Sequence, residues 1–281
     1  MSENFDGNIL YGRRYRILVS GGGGGLDVSD LRCTFKIEKN MMETPDFSEV
    51  TIYNLSAQTE NTIISQGQRV IVEAGYEGDQ YGMIFDGDII QPLRSKEEGV
   101  TYSLTLVAQD GDLFLNSGLV NASYKAGQTP RSIAYEVTSK AAEPIEIASI
   151  SENLENTVLP RGKAVFGLAR DYLHQIARTE EAVFYVADRK VNIVKAKDMP
   201  TSRAIDLTPA TGLVGIPEQT EQGIQGKCLL NPMIKLNTFV HIDSALVRRQ
   251  KASRDSALKQ LDYSEPDRKT VTLAFNYFAV W

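Results

Sequence analysis

The sequence is poor in the residues that most often build catalytic and metal centres. Its 281 residues include two histidines, two cysteines and one tryptophan. His174, His241, Cys33 and Cys228 are scattered along the chain, so no zinc-ligand spacing is present. No G-x-S-x-G segment marks a nucleophile on a sharp turn, although a triad can also assemble from distant residues. We therefore predict no catalytic, cofactor or metal site.

The chain also lacks long apolar runs and a surplus of basic residues. No segment approaches the roughly 18 apolar residues of a membrane span, and the opening MSENFDGNILYGRRYR contains no apolar signal core. The two distant cysteines lie in strand-like runs and predict buried, reduced thiols and synthesis in a cytoplasm. A formal net charge of -6 argues against a general nucleic-acid binder. With 42% hydrophobic and 23% charged residues, the length suits about two soluble domains.

Short alternating runs occupy most of residues 1–111. Along one of them Tyr102, Leu104, Leu106 and Ala108 alternate with polar residues, which predicts one packed face. Turn signals separate the strand candidates, and many short strands at this spacing predict a barrel or a sandwich. The strand candidates are 14–20, 31–39, 48–54, 69–75, 83–91 and 100–109.

Five consecutive glycines, Gly21 to Gly25, lie between the first two strand candidates. Glycine-rich turns can bind phosphate, but such a loop requires a helix after it, and a Walker loop also ends in Gly-Lys-Ser/Thr. Here residues 31–38 alternate apolar and polar side chains with the period of a strand. We predict strand, flexible tip and strand, not a nucleotide site.

Two Asp-Gly-Asp triplets, at 86–88 and 110–112, admit a calcium or paired-carboxylate interpretation. A calcium loop requires further ligands at fixed offsets and a distal glutamate, which are missing. Both triplets fall at the ends of predicted strands, where Asp and Gly supply turn conformations. We therefore predict turns at both places.

Sequence patterns typical of helices begin after residue 111. Thr129 and Pro130 combine a capping hydroxyl with a first-turn proline, and KAVFGLARDYLHQIART (163–179) carries an apolar stripe, so two helices are predicted. Asp188-Arg189 predicts a hairpin turn between two apolar strands. Residues 112–200 thus read as an α+β insert.

After Pro200 the strand pattern returns, with candidates at Leu229, 239–242 and 271–277. The aromatic ending FNYFAVW is typical of a terminal strand tied into a sheet. Residues 247–270 are polar and densely charged, which predicts a solvated loop or arm. Residues 201–281 are predicted to form a second β-barrel domain, with its own strands or with strands shared with the first barrel.

Two blocks of the sequence resemble the baseplate hub or tail-tip hub proteins of tailed bacteriophages. They are EVTIYNLSAQTENTIISQGQRVIVEAGYEGDQYGMIFDGDIIQ (49–91) and TGLVGIPEQTEQGIQGKCLLNPMIKLNTFVHIDS (211–244). They follow the patterns "iyNLs…aGY…iF.G.i" and "GliG.P…Gi..k.LLNP" in order and spacing. The pattern consists of strands and turns and carries over no active site. The matching positions, which we expect in turns or packing, are Asn54, Gly75, Tyr76, Gly87, Asn231 and Pro232.

The resemblance implies a mainly β fold with two tail-tube-like β-barrels and a small α+β middle domain. It further implies a homotrimer whose six barrels form a ring, joining the sixfold tail tube to the threefold central spike around a channel for DNA ejection. Implied partners are the spike, tail tube or tube-initiator proteins, and other baseplate and tape-measure proteins. DNA would pass without specific binding.

We thus predict a structural, non-enzymatic virion protein of the tail baseplate, synthesised and assembled in the host cytoplasm. The alternatives are a tail-associated cell-wall hydrolase and a carbohydrate-binding module. The chain has no recognisable lysozyme or peptidase segment, and its one tryptophan, Trp281, ends a strand-like run, which weakens the sugar-binding alternative.

Overall fold

The computed structural model describes residues 10–21, 24–77, 80–97, 99, 101–155, 158–195, 198, 204–220, 223–242, 249–250 and 276–280. Its strands are β1 (Arg13–Gly21), β2 (Gly24–Asp27), β3 (Cys33–Glu38), β4 (Asp46–Tyr53), β5 (Gly67–Tyr76), β6 (Tyr81–Glu97), β7 (Thr101–Asp110), β8 (Leu119–Tyr124), β9 (Glu146–Ile150), β10 (Lys163–Leu168), β11 (Ala182–Ala187), β12 (Lys190–Lys195), β13 (Ile205–Asp206), β14 (Leu213–Thr220), β15 (Gly223–Cys228), β16 (Val240–His241), β17 (Arg249–Gln250) and β18 (Asn276–Val280). Its helices are α1 (Ala57–Gln66), α2 (Asp112–Ser117), α3 (Pro130–Lys140) and α4 (Ala169–Thr179), with short 3-10 segments at Glu152–Glu155 and Pro209–Thr211.

The chain divides into two compact units. The larger unit comprises Arg16–Val72, Phe85–Met199 and Asn276–Trp281, and the smaller comprises Met1–Tyr15, Glu73–Ile84 and Pro200–Phe275. The larger unit therefore contains both α+β elements and strands of the first predicted domain. The predicted boundaries after residues 111 and 200 stay predictions.

An eight-stranded sheet has the order β18-β3-β4-β7-β6-β5-β1-β2. In β3, β4 and β7 every second side chain is buried, so the predicted packed face is confirmed for Leu104, Leu106 and Ala108. Tyr102 is an exception: it is 61% exposed at the start of β7, opposite Lys96, whose ammonium lies 4.8 Å from the ring centroid. Tyr102 lies beyond the part of β7 that pairs with β4, so the sheet core does not cover it.

The fold is mainly β, as predicted, and is built from five sheets within the described ranges. None of these sheets closes into a barrel over those residues. The eight-stranded sheet is open, with β18 and β2 as its end strands. The prediction of two barrels is therefore not confirmed.

The first predicted strand is confirmed as β1, but the segment predicted as a flexible tip contains a further strand, β2, which precedes the predicted strand at 31–39. β1 and β2 pair antiparallel, with Gly21 opposite Gly24, while Gly22 and Gly23 lie outside the described residues. A Cβ added at Gly21 would lie 1.6 Å from the carbonyl oxygen of Gln66, at the end of α1. Only glycine fits at position 21, because the backbone of β1 approaches the backbone at the end of α1 too closely for a side chain.

Helix α1 was not predicted from the sequence, which placed only turn signals between the strand candidates 48–54 and 69–75. The Ser56 hydroxyl accepts the Thr59 N–H at 3.1 Å and caps the helix. Ile63 is the one buried residue of α1, so the helix carries almost no apolar stripe. Periodicity is a weak signal for a helix of this kind.

Elements between residues 112 and 195, the region predicted as an α+β insert, pack around one apolar core. The predicted helix at Thr129 is confirmed, because its hydroxyl accepts the Ser132 N–H at 3.2 Å and Pro130 occupies the first turn. The Asp188-Arg189 hairpin turn is confirmed, with φ of 52° and 58°. Core residues include Phe114, Leu115, Val120, Ile133, Val137, Leu173, Phe184 and Ile193.

The second predicted helix is wrong over its first six residues. Lys163–Leu168 form β10, antiparallel to β8, and the helix begins at Ala169. Val165 faces the core whereas Phe166 is 82% exposed, which is the alternation of a strand. Pairing with β8, which lies far away in the sequence, overrides the local helical pattern.

In the smaller unit, a small core consists of Leu207, Leu213, Ile234 and Val240. The strand predicted at 239–242 is confirmed as β16, which pairs in parallel with β13, whereas Leu229 lies outside any strand. Within the charged stretch 247–270, only residues 249–250 are described, and they form β17 beside β14.

The strand predicted at the C-terminal end also belongs to a sheet. Residues 271–275 lie outside the described part of the chain, and 276–280 form β18. β18 pairs antiparallel with β3, so the prediction of a terminal strand tied into a sheet is confirmed.

Candidate functional site

The first Asp-Gly-Asp triplet does not form a turn. Asp86 and Gly87 lie buried within β6, and the guanidinium of Arg69 binds both carboxylate oxygens of Asp86, with Nε 2.6 Å from Oδ1. A Cβ at Gly87 would lie 2.7 Å from the carbonyl oxygen of Gln109. The turn prediction is wrong here because an arginine on the neighbouring strand neutralises Asp86, so the triplet can stay inside a sheet.

The second triplet is a strand end, as predicted. Asp110 ends β7, Gly111 has a φ of 78°, and Asp112 begins α2. A Cβ at Gly111 would lie 2.6 Å from Cγ1 of Val186, so the α+β insert packs closely on this turn.

The two triplets contribute to a cluster of charged side chains that we name the charged junction. It lies where β4, β6 and β7 meet the turn between β11 and β12. Asp46 and Asp110 are direct cross-strand neighbours and are 0% and 1% exposed. The charged junction consists of Asp46, Asp86, Asp88, Asp110 and Asp188 with Lys39, Arg69 and Arg189.

The charged junction holds the insert turn against the sheet. Lys39 Nζ lies 2.5 Å from Asp188 Oδ1, and Arg189 Nη1 lies 2.7 Å from Asp88 Oδ1. The backbone N–H of Arg189 also donates to both oxygens of Asp110, at 3.0 and 3.1 Å. The two side-chain ion pairs are charge-assisted hydrogen bonds, which are stronger than neutral ones.

Asp46 is less well satisfied than its neighbours. Its Oδ1 accepts the Asn40 N–H at 3.0 Å, whereas its buried Oδ2 has no hydrogen-bond partner among the described residues. Burial raises the pKa of Asp46 to about 7 and that of Asp110 to about 6, against the opposing effect of Lys39. Burial, followed by the nearby Asp46, raises the pKa of Tyr185 to about 12.

A cavity of about 340 Å³ adjoins the charged junction. Its charged lining includes Arg69, Asp88 and Arg189, and Lys190 pairs there with Glu146 at 3.1 Å. Both acidic and basic groups therefore line it. Among the described residues, no three His, Cys, Asp or Glu side chains are grouped to hold a metal ion.

The two histidines and the two cysteines lie in separate surroundings. His174 contacts the carboxylate of Glu43, and His241 Nδ1 lies 2.9 Å from Asp206 Oδ1, both at exposed positions. Burial raises the pKa of Cys33 to about 12 and also raises that of Cys228. Reactive thiols have a lowered pKa, so neither environment activates a nucleophile.

Sequence reasoning missed the charged junction. Lys39 lies on the same buried face as the apolar residues of β3, and Asp46 is the first residue of β4. The turn at Asp188 was predicted from local turn chemistry alone, which does not show what the turn contacts. The available signal was the presence of charged residues at positions that the strand alternation places on the buried face.

Several exposed apolar side chains form a second feature of the molecule. Phe166 of β10 is 82% exposed, and Val214 and Ile216 are exposed on β14. Large exposed apolar groups on a folded chain can mark surfaces that contact other molecules. In addition, β2 ends the eight-stranded sheet, and an end strand presents backbone groups for pairing.

The positions shared with the resembled pattern lie in turns or packing, as predicted. Asn54 has a φ of 56°, and Asn231 Oδ1 accepts the Met233 N–H at 2.9 Å. A Cβ at Gly75 would lie 1.9 Å from the Gln80 carbonyl oxygen, and Tyr76 is buried. Pro232 is buried near Gly82.

None of the helices in the described part of the chain combines the length and the apolar character that crossing a bilayer requires.

A family model described as baseplate hub gp41 matches residues 19–264. No curated protein matches the chain. Among solved structures, the 43 kDa tail protein of prophage MuSo2 from Shewanella oneidensis is 9% identical, with a TM-score of 0.49, over 81% of this chain and 71% of that one. A tail protein from Neisseria meningitidis MC58 is 14% identical, with a TM-score of 0.48, over 83% and 71%.

A third solved structure is that of the E. coli c3393 protein, a component of the type VI secretion system with structural similarity to the T4 bacteriophage tail proteins gp27 and gp5. It is 11% identical, with a TM-score of 0.46, over 76% of this chain and 64% of that one.

Proposed function

The chain belongs to the baseplate hub gp41 family, and we propose that three copies form the ring that joins the sixfold tail tube to the threefold central spike. The family match over residues 19–264 carries this proposal. Membership makes the chain a structural component of a phage tail baseplate. The trimer, the spike and tube partners and the two tail-tube-like barrels are the finer parts of the proposal.

Symmetry matching requires large contacts between copies, and two features of the described residues support such contacts. The eight-stranded sheet is open, and pairing of its end strands with neighbouring copies would cover their backbone groups. Exposed apolar side chains such as Phe166 and Ile216 would be removed from water in an assembly. In this proposal each barrel is completed by its neighbour.

The central passage of the ring would let DNA leave the virion during ejection. A net charge of -6 supports a channel that DNA crosses without specific binding, because like charges repel. The hub would act by holding and then releasing its partners, without bond chemistry. Other baseplate and tape-measure proteins would contact the same ring in the virion, after assembly in the host cytoplasm.

Mass measurement in solution tests the trimer. Light scattering of the purified chain, alone and mixed with the spike protein and the tube protein of the same phage, is expected to give a particle with three copies of the 31.1 kDa chain. An Asp30→Asn variant, which changes one exposed turn residue, is the matched control and should assemble equally. A single copy under every condition, or a ring of six chains, would contradict the proposal.

A further inference from the structure

The charged junction contains more carboxylates than cations. Arg69 pairs with Asp86, Arg189 with Asp88, and Lys39 with Asp188. The two remaining carboxylates, those of Asp46 and Asp110, are both buried. They lie directly opposite each other on β4 and β7, where two like charges repel.

The α+β insert covers this pair of carboxylates. The Arg189 N–H donates to Asp110, the buried Tyr185 lies near enough to Asp46 for the two to interact, and Val186 packs on Gly111 beside Asp110. Movement of the Asp188–Arg189 turn away from the sheet would return both carboxylates to water. Closure of the turn over the sheet therefore also buries the carboxylates of Asp46 and Asp110.

We propose that the charged junction is a proton-linked clamp: protons bound by Asp46 and Asp110 hold the Asp188–Arg189 turn on the sheet, and loss of these protons loosens it. The clamp lies within the larger unit and does not depend on the proposed assembly role. In this proposal Asp46 and Asp110 make the position of the turn depend on pH, in addition to stabilising the fold.

The charged and titratable groups around the pair come from every element packed against it. Lys39, after β3, lowers the pKa of both carboxyls, and Asp188, in the insert turn, raises the pKa of both. The Arg189 N–H lowers the pKa of Asp110, and Asp86 on β6 raises it. Asp88 and Arg69 are held in their own pairs, and Tyr185 of β11 is close enough for Asp46 to raise its pKa, after the larger effect of burial.

The direction of the pH response follows from linkage. The closed junction holds protons more tightly than the open one, so acid favours closure and a rise in pH favours opening. With pKa values of about 7 and about 6 when closed and 3.8 when open, the opening constant rises up to about 100-fold from pH 5.5 to pH 8.

Hydrogen exchange of the full chain tests the clamp. Protection factors, corrected for the intrinsic pH dependence of exchange, are compared at pH 5.5 and pH 8 for amides 186–191 and for α3 as an internal reference. In the wild type we expect hairpin protection to fall at least about tenfold at the higher pH. Amides of α3 that exchange through local opening leave the Asp46–Asp110 pair buried, so their protection should change less than about twofold.

Three variants locate the groups responsible. The double variant Asp46→Asn/Asp110→Asn is expected to remove the pH response of hairpin protection. Asp46→Asn alone is expected to leave a change of about fourfold or less between the two pH values, and it serves as the test if the double variant does not fold. His174→Asn is expected to respond like the wild type, because His174 contacts Glu43 and not the buried pair.

Four results would overturn the clamp. They are a wild-type hairpin response below about twofold, an equal response of α3, an undiminished response in the aspartate variants, and loss of the response in His174→Asn.

Discussion

Lys39→Met is expected to destabilise the protein by about 3–5 kcal/mol at pH 8 and by much less at pH 5. The Lys39 side chain is buried, and its ammonium lies beside three buried or half-buried carboxylates, those of Asp46, Asp110 and Asp188. Without this cation the carboxylates repel one another in a medium that solvates them poorly. At pH 5 the carboxyls of Asp46 and Asp110 are protonated in the folded state, so little uncompensated charge remains.

The sign of this pH dependence follows from the raised pKa values. Between about pH 4 and pH 7 the folded state holds protons that the unfolded state has released, so stability falls as pH rises through this window. Urea unfolding at pH 5 and pH 8 measures the effect. Lys39→Met should make the slope of stability against pH steeper than in the wild type.

Two further variants make this prediction specific. Lys36→Met removes an exposed lysine from the same strand region, where Lys36 pairs with Glu38, and we expect little change at either pH. Lys39→Met/Asp46→Asn removes one carboxylate together with the cation and is expected to recover part of the stability lost at pH 8. Equal losses at pH 5 and pH 8, or no recovery in the double variant, would contradict the assignment.

Gly21→Ala is expected to destabilise the larger unit by about 3 kcal/mol. The added Cβ would meet the backbone carbonyl of Gln66 at 1.6 Å, and no side-chain rotation can relieve a contact with backbone. Either β1 or the last turn of α1 must move. Urea unfolding monitored by circular dichroism measures the loss.

Gly25→Ala is the matched control in the same hairpin. A Cβ at Gly25 meets nothing within 4 Å, so the substitution mainly reduces the freedom of the unfolded chain. We expect it to leave stability unchanged or to raise it by about 0.5 kcal/mol. Similar losses in both variants would indicate that the glycines act through flexibility and not through the close approach at Gly21.

The elements that could be read from the sequence are those with local causes. Thr129 and Pro130 started a helix, Asp188-Arg189 made a turn, and the alternation of Leu104, Leu106 and Ala108 marked a buried face. Helix α1 was not predicted because Ile63 is its only buried residue, so its sequence lacks the apolar stripe by which a helix is recognised. Residues 163–168 were misassigned because pairing with β8 outweighs the local helical pattern.

By itself the sequence determined the mainly β class, the Asp188-Arg189 hairpin turn and the family pattern, because each depends on neighbouring residues or on motif order. Only the tertiary structure decided that Asp46 faces Asp110, that Arg69 neutralises Asp86 and that the insert turn closes over the pair. A period of two assigns a side chain to one face of a strand but does not say which strand lies beside it. The charged junction depends on that second piece of information.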